Sequence, residues 1–338
     1  MRRGHVHRVG MAAALSNGVE MPMVGFGCAG YVRRDELVHA LDAGYRMFDT
    51  AQAHEWYLEE EVGEAIRMSG VNRRELFLTS KLHPRDLGER STLDAFPNSL
   101  RRLNTTYLDA FLLHYPRCFG TLCAKQPQGT WKDSWRALEQ LYDAGKVRAI
   151  GVSNFAPQEL EELLAHSVVK PHLVQSWMDP LHQERPLRAL CQRHGLRFQA
   201  YSTLGTQHRT PFNPVLKHPL LVAIGKELGK SSAQVALRWA LQHGVAVIPR
   251  SRNPHRMRAN LQLDDWQLTP HQMQTIDGLD GSDPSAISLP PPPPLLCKDD
   301  NTGCPRWAED GECERNPGFM LHSCAGSCNA CDSKDKEL

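Results

Sequence analysis

From about residue 14 to about residue 280 the chain alternates short β-like runs with amphipathic helical stretches, and that alternation limits the fold more than any other feature. The β-like runs fall at 23–27, 45–49, 76–80, 108–113, 147–152, 172–175, 197–201 and 245–248. Apolar residues at helical spacing mark 59–68, 131–144, 158–165, 185–194 and 231–243. Strands separated by helices pair in parallel, because a parallel neighbour needs a long crossover. Eight such strands predict an α/β fold of the closed (β/α)8 TIM-barrel kind. An open doubly wound sheet is the alternative, but no G-x-G-x-x-G follows an early strand, so its dinucleotide fingerprint is missing. Asn17-Gly18, ahead of the first strand, is a hairpin turn signal and predicts a small hairpin plugging the barrel bottom.

The 338 residues suffice for one large domain and one small one. Net charge is +1 with both signs interspersed, so nothing points to nucleic acid or an anionic membrane as partner. No apolar run approaches the roughly 20 residues of a membrane-spanning helix. Basic residues open the chain (Arg2, Arg3, Arg8) but no apolar run follows, so no secretory signal is read. Of ten cysteines, Cys28, Cys118, Cys123 and Cys191 are scattered, and the rest crowd into 297–331. The scattered four are expected as free thiols, with Cys118 and Cys123 close enough in sequence to pair. The crowded six predict a disulfide module and an oxidising compartment. Five consecutive prolines, Pro290 to Pro294, form an extended spacer. The expected organisation is a barrel over 1–286, a Pro-rich linker at 287–296, a six-cysteine domain at 297–331 and a charged tail at 332–338.

Ionisable residues cluster at the predicted strand ends. Asp49 closes the second run, Lys81 follows the third, His114 follows the fourth, and Tyr57 lies just beyond Asp49. In a barrel of this kind, residues at the strand C-termini converge on one face. A phenol, an ammonium, a carboxylate and an imidazole together make a proton-donating set. An ammonium beside a phenol favours the phenolate and lowers its pKa, and a carboxylate holds the ammonium in place. No metal site is read in the barrel.

Six segments carry a resemblance. They are Gly44-Tyr45-Arg46-Met47-Phe48-Asp49-Thr50-Ala51, Thr79-Ser80-Lys81-Leu82, Leu112-Leu113-His114-Tyr115-Pro116, Ala149-Ile150-Gly151-Val152-Ser153-Asn154-Phe155, Ala200-Tyr201-Ser202-Thr203-Leu204-Gly205 and Val247-Ile248-Pro249-Arg250-Ser251. Their order and intervals resemble the aldo-keto reductase family over about 14–280. The resemblance implies NADP(H)-dependent reduction of a small-molecule carbonyl, with Asp49, Tyr57, Lys81 and His114 catalytic. It implies that Ser153, Asn154 and Gln175 hold the nicotinamide amide, with Thr50 nearby, and that Tyr201 stacks on the ring. Ser202, Leu204 and Gly205 would follow the pyrophosphate, and Arg250, Ser251, Arg256 and Asn260 the adenosine 2′-phosphate and adenine. Two arginines suit a dianionic phosphate, hence NADP over NAD. One departure concerns the acid. The family's Tyr stands five residues after the Asp, where this chain has His54; counting back from Val62-Gly63 points to Trp56 or Tyr57 instead. Tyr57 is expected to fill the role because it supplies a phenol, with His54 the alternative. A non-catalytic NADP(H)-binding or interaction protein is the competing functional reading.

The terminal cysteines have the spacing C-x6-C-x8-C-x10-C-x3-C-x2-C, from Cys297 through Cys304, Cys313, Cys324 and Cys328 to Cys331. A segment this short buries too little apolar surface to fold without cross-links. The pattern resembles the ShK-toxin-like (ShKT) domain, in the version appended to plant-type prolyl 4-hydroxylases. That resemblance implies the pairs Cys297–Cys331, Cys304–Cys324 and Cys313–Cys328, and a docking or stabilising role, with a protein partner. A zinc site on Cys324, Cys328, Cys331 and His322 is the competing reading. Asp335-Lys336-Glu337-Leu338 is similar to an endoplasmic-reticulum retrieval tetrapeptide with its first two residues exchanged. The expected location is the endoplasmic reticulum lumen or secretory pathway, or the cytoplasm if the N-terminus is complete.

Overall fold

The protein is described by a computed structural model covering residues 11–281, except 120, 121, 124, 209 and 211, together with residues 299, 302–311, 313, 324, 327 and 328. The proline run, Cys297, Cys331, His322 and the tail at 335–338 lie outside the described residues. The chain divides into two compact units, Met1–Ile287 and Ser288–Leu338.

The first unit opens with an antiparallel hairpin, β1 (Ala12–Ala14) and β2 (Glu20–Pro22), registered Ala13 to Met21. Gly18 turns it with φ +81°, a conformation open to glycine. The Asn17 amide donates to the Arg148 carbonyl at 2.8 Å, and Arg197 donates to the Ala14 carbonyl at 3.2 Å. Both contacts lie where barrel strands begin, so the hairpin covers the barrel bottom as expected.

Eight parallel strands follow: β3 (Phe26–Gly27), β4 (Met47–Asp49), β5 (Phe77–Leu82), β6 (Ala110–Leu113), β7 (Ile150–Ser153), β8 (Leu173–Trp177), β9 (Arg197–Tyr201) and β10 (Ala246–Val247). Each pairs with the next in chain order. Val24 pairs with Val247, and Val247 N–H donates to the Met23 carbonyl at 2.8 Å, which joins the last strand to the first. The open-sheet alternative is thereby excluded. Every predicted run overlaps one strand, with β5, β7 and β8 extending one or two residues past the predicted ends. Helices shield the outside, so β5 is buried at all of its positions, as parallel strands are.

The barrel helices are α1 (Arg34–Ala43), α2 (Glu59–Ser69), α3 (Glu89–Arg102), α4 (Trp131–Asp143), α5 (Pro157–His166), α6 (Arg185–Arg193), α7 (Pro219–Leu228), α8 (Ser232–Gln242), α9 (Pro254–Leu261) and α10 (Pro270–Asp277). Four of these begin with proline and α6 has Pro186 second, which suits a first turn whose N–H groups are unpaired anyway. α3 holds Pro97 in its interior, which interrupts the helical signal in the sequence. Gly63 lets α2 lie against the end of α3: a Cβ there would sit 2.3 Å from the Arg102 carbonyl oxygen.

In the second unit, a short helix α11 (Cys304–Glu309) is tied by Cys304–Cys324, and a second bridge joins Cys313 to Cys328. Both match pairs implied by the resemblance, and they leave Cys324 and Cys328 no thiolate for zinc. The Asp299 carboxylate accepts from Ser327 N–H at 2.9 Å and from its hydroxyl at 2.6 Å. One expectation is corrected in the barrel: Cys118 and Cys123 are not free thiols but a disulfide. The chain turns between them, Leu122 N–H donating to the Phe119 carbonyl at 3.1 Å, and brings the sulfurs together. Cys28 and Cys191 are free and buried.

Candidate active site

The strand C-termini surround a cavity of about 550 Å³. Asp49 ends β4 and His114 follows β6. Lys81 was expected just past its strand, but β5 runs on to Leu82 and Lys81 lies within it, fully buried. The ammonium donates to Asp49 Oδ1 at 2.5 Å and to the Thr50 carbonyl at 3.0 Å. The other Asp49 oxygen accepts from Gln175 Nε2 at 2.7 Å, and Gln175 in turn donates to Gln199 Oε1 at 2.7 Å. Asp49 is 2% exposed, so this is an ion pair sealed inside the barrel.

Tyr57 lies in the loop after β4, ahead of α2, and lines the cavity. Its ring centroid is 5.0 Å from Lys81 Nζ and 5.9 Å from the His114 ring. His54 is exposed and is not among the cavity-lining residues. Burial holds the Tyr57 phenol well above its ordinary pKa, and Asp49, Tyr115 and Cys28 push the same way. This reverses the sequence expectation that Lys81 lowers it: desolvation of a phenolate outweighs an ammonium already neutralised by Asp49. The same desolvation, with Lys81 and His83 adding to it, holds His114 well below its ordinary value, so its ring is neutral. His114 Nδ1 is buried without a hydrogen-bond partner.

The expected cofactor residues separate into two groups. Ser153, Asn154, Gln175, Tyr201, Ser202, Leu204 and Arg250 line the cavity. Asn154 (φ +60°) and Ser202 (φ +56°) take left-handed conformations just past β7 and β9. Asn154 donates to the His114 carbonyl at 2.9 Å and accepts from the Tyr201 hydroxyl at 2.7 Å. Thr50, Gly205, Ser251, Arg256 and Asn260 do not line it. Thr50 is buried behind Asp49, and its hydroxyl has no partner. Gly205 (φ +79°) turns the chain after β9, where Asn213 donates to the Leu204 carbonyl at 2.6 Å. Arg256 is exposed on α9, and Asn260 is buried beneath it beside Tyr45. The Ser251 hydroxyl accepts from Asn253 N–H at 3.1 Å at the head of α9.

The site can accept a large anionic group. Arg250 is exposed at the cavity and makes no hydrogen bond or ion pair among the described residues. Gly30 makes room for it, since a Cβ there would meet Arg250 Nη1 at 2.6 Å. Thr50, His114 and Thr203 each leave a buried polar atom unpartnered around the same face. Unpaired buried polar groups carry a desolvation cost that a polar ligand removes. Sequence reasoning missed Phe119, which also lines the cavity, and weighed Trp56 only as an alternative position for the acid rather than as part of the wall. For Phe119 the available signal was its position next to Cys118.

Residues 32–281 match the Aldo/keto reductase family, and residues 296–331 match the ShK domain-like family. Glyoxal reductase of Bacillus subtilis is 41% identical over 269 residues, spanning 78% of this chain and 91% of that protein. The NAD(P)H-dependent D-xylose reductase I,II of Candida tropicalis is 36% identical over 297 residues, 79% of this chain and 91% of its own. Among solved structures, a Bombyx mori aldo-keto reductase in complex with NADP superposes with a TM-score of 0.73 at 29% identity, covering 80% of this chain and 93% of that one.

Proposed function

The chain belongs to the aldo/keto reductase family, and from that premise we propose that it reduces an aldehyde or ketone to an alcohol with NADPH, using Tyr57 as proton donor. The observation that carries this reading is that Tyr57, Asp49 and His114 line one cavity, with the Lys81 ammonium buried against Asp49 and 5.0 Å from the Tyr57 ring. A reduced nicotinamide supplies a hydride when bound. Ser153, Asn154, Gln175 and Tyr201 would hold its ring end. Ser202 and Leu204 would face its pyrophosphate, with Thr50 and Gly205 shaping the walls. Arg250, with Ser251, Arg256 and Asn260 on the adjoining segment, would take the adenosine 2′-phosphate end, where a planar guanidinium pairs well with phosphate.

Reduction leaves negative charge on the carbonyl oxygen, which needs a proton and a positive surrounding. Tyr57 meets the first need because burial keeps its phenol protonated. As the proton leaves Oη, the Lys81 ammonium stabilises the phenolate, and Asp49 fixes that ammonium. The neutral His114 ring is a donor that orients the carbonyl oxygen. The cystines Cys304–Cys324, Cys313–Cys328 and Cys118–Cys123 support an oxidising compartment, the endoplasmic reticulum lumen or secretory pathway. The ShK-like unit is proposed to dock a protein partner there.

The test is NADPH oxidation by the purified chain with 4-nitrobenzaldehyde, wild type against Tyr57→Phe, with NADPH binding followed by fluorescence. Turnover that drops by roughly 10²–10⁴ with unchanged binding supports the acid role. Equal turnover in the two proteins refutes it. A wild type that binds NADPH and turns over no carbonyl from a broad panel supports the non-catalytic reading instead. Free thiols at the six C-terminal cysteines in protein from its native cell would overturn the compartment.

A further inference from the structure

The wall of the cavity above His114 is built from two aromatic residues in series. The Tyr115 ring packs against His114 with centroids 4.7 Å apart, and the Phe119 ring packs edge-on against Tyr115, also at 4.7 Å. Phe119 lines the cavity and is 48% exposed, which is unusual for a large apolar side chain with a partner beneath it. The stretch that carries it runs from β6 towards α4, and its described residues form no strand or helix. What fixes it is local. Arg117, two residues before, pairs with Glu159 on α5. Cys118, the immediate neighbour, is bonded to Cys123, which closes a ring around Phe119.

We propose that the Cys118–Cys123 disulfide is a positioning device that holds Phe119 as the outer wall of the substrate pocket and so selects apolar, aromatic carbonyl compounds. The proposal rests on the reductase reading above. Closing a short ring removes conformations in which the Phe119 ring swings away from Tyr115 into solvent. Ordering a free loop on each binding event costs affinity that a pre-ordered wall does not. Trp56 and Phe119 both line the cavity that also holds Tyr57, so a planar aromatic substrate there has aromatic rings to pack against. A two-carbon dialdehyde has no ring to pack on Phe119. The device is therefore redox-dependent: a dithiol gives two electrons and two protons, the S–S bond breaks into two thiols, and the dithiol becomes a disulfide. The pocket then loses a fixed wall and keeps its proton donor.

The experiment compares full-length wild type with Cys118→Ser/Cys123→Ser, which removes this bridge and leaves those of the ShK-like unit. Probes are 4-nitrobenzaldehyde and glyoxal, and NADPH affinity is read separately by fluorescence. The variant is expected to raise KM for 4-nitrobenzaldehyde by roughly three- to tenfold, the size of one aromatic contact. Its kcat, its glyoxal kinetics and its NADPH affinity should stay at wild-type values. Phe119→Ala should reproduce the KM change, and adding the serines to it should change nothing further. Equal KM values for 4-nitrobenzaldehyde in wild type and double-serine variant overturn the proposal. So does a parallel loss with both aldehydes, which marks a merely structural bridge, and so does peptide mapping that finds Cys118 and Cys123 as thiols in air-oxidised protein. A wild type without any carbonyl turnover strikes the reductase reading itself. In that case 4-nitrobenzaldehyde binding, followed by its quenching of protein fluorescence, still decides whether the bridge matters.

Discussion

Replacing Lys81 by Met keeps a long stem in the barrel core and removes the charge. Lys81 is fully buried and its partner Asp49 is 2% exposed. Without the ammonium, the Asp49 side chain keeps one bond, from Gln175 Nε2 at 2.7 Å. A carboxylate stranded in this way destabilises the fold by about 3–5 kcal/mol. At about 2–4 °C per kcal/mol for a domain of this size, the melting temperature should fall by roughly 6–20 °C. The double variant Asp49→Asn/Lys81→Met buries no charge, so it should recover at least about half of the loss. Activity should not follow stability. Both variants lack the cation that stabilises the Tyr57 phenolate, so both should lose roughly 10²–10⁴ in kcat. Thermal melts and NADPH-oxidation rates on the three proteins decide the matter. A double variant that regains turnover together with stability would show that Lys81 serves packing alone, and the assignment of its electrostatic role would be wrong. A single variant that melts within a degree of wild type would remove the buried-ion-pair premise.

Further predictions concern protons and the phosphate end of the cavity. Because burial, then Asp49, keeps the Tyr57 phenol well above 10.0, kcat/KM for reduction should show no alkaline limb below that pH; a limb at lower pH would mean that Lys81 outweighs burial. Buried His114 has its pKa held well below 6.5, and that of His83 is brought down to about 4, chiefly by burial and then by Arg85. Depressed folded-state values mean that the unfolded chain takes up protons first as pH falls through 6.5. The stability these groups lend is thus present above that pH and lost below it, up to about 3 kcal/mol for His83 alone by pH 4. Denaturant midpoints at pH 7 and pH 5 should differ less in His83→Asn than in wild type, and an equal difference would refute the attribution. Arg250→Met should weaken NADPH binding by roughly tenfold or more and NADH binding far less. Equal loss for both cofactors would place Arg250 away from the 2′-phosphate.

The barrel was legible because its strands are buried on both faces. Such strands read as apolar runs, and polar residues stand out where the runs end at the active face. Asp49 and His114 were found that way. Lys81 was placed one step too far out, since a lysine inside a strand contradicts the usual reading of an apolar run. α3 was harder to see because Pro97 breaks its signal while its neighbours supply the packing that keeps it helical. The loop after Asp49 could not be aligned by counting. In the folded chain Tyr57 stands near Lys81 and His114 whereas His54 faces solvent, which is why Tyr57 is the proposed donor.

The Tyr57 pKa shows a different kind of limit, one of sign rather than position. A lysine and a tyrosine expected on the same barrel face argue for an acidic phenol. In the folded site the lysine's charge is spent on Asp49 at 2.5 Å, and the pair acts on Tyr57 almost as a dipole whose negative end also counts. What remains is the removal of water by Trp56, Tyr115 and the cavity wall, which favours the neutral phenol. The consequence is mechanistic. A phenol that resists ionisation at rest but stands 5.0 Å from an ammonium gives up its proton only when something nearby can take it. The ammonium then acts where it helps catalysis, on the charge that develops, rather than on the ground state. A strongly acidified tyrosine would ionise at neutral pH and leave the reductase without its donor. The Asp49–Lys81 pair is therefore better understood as holding a cation in reserve than as lowering a pKa.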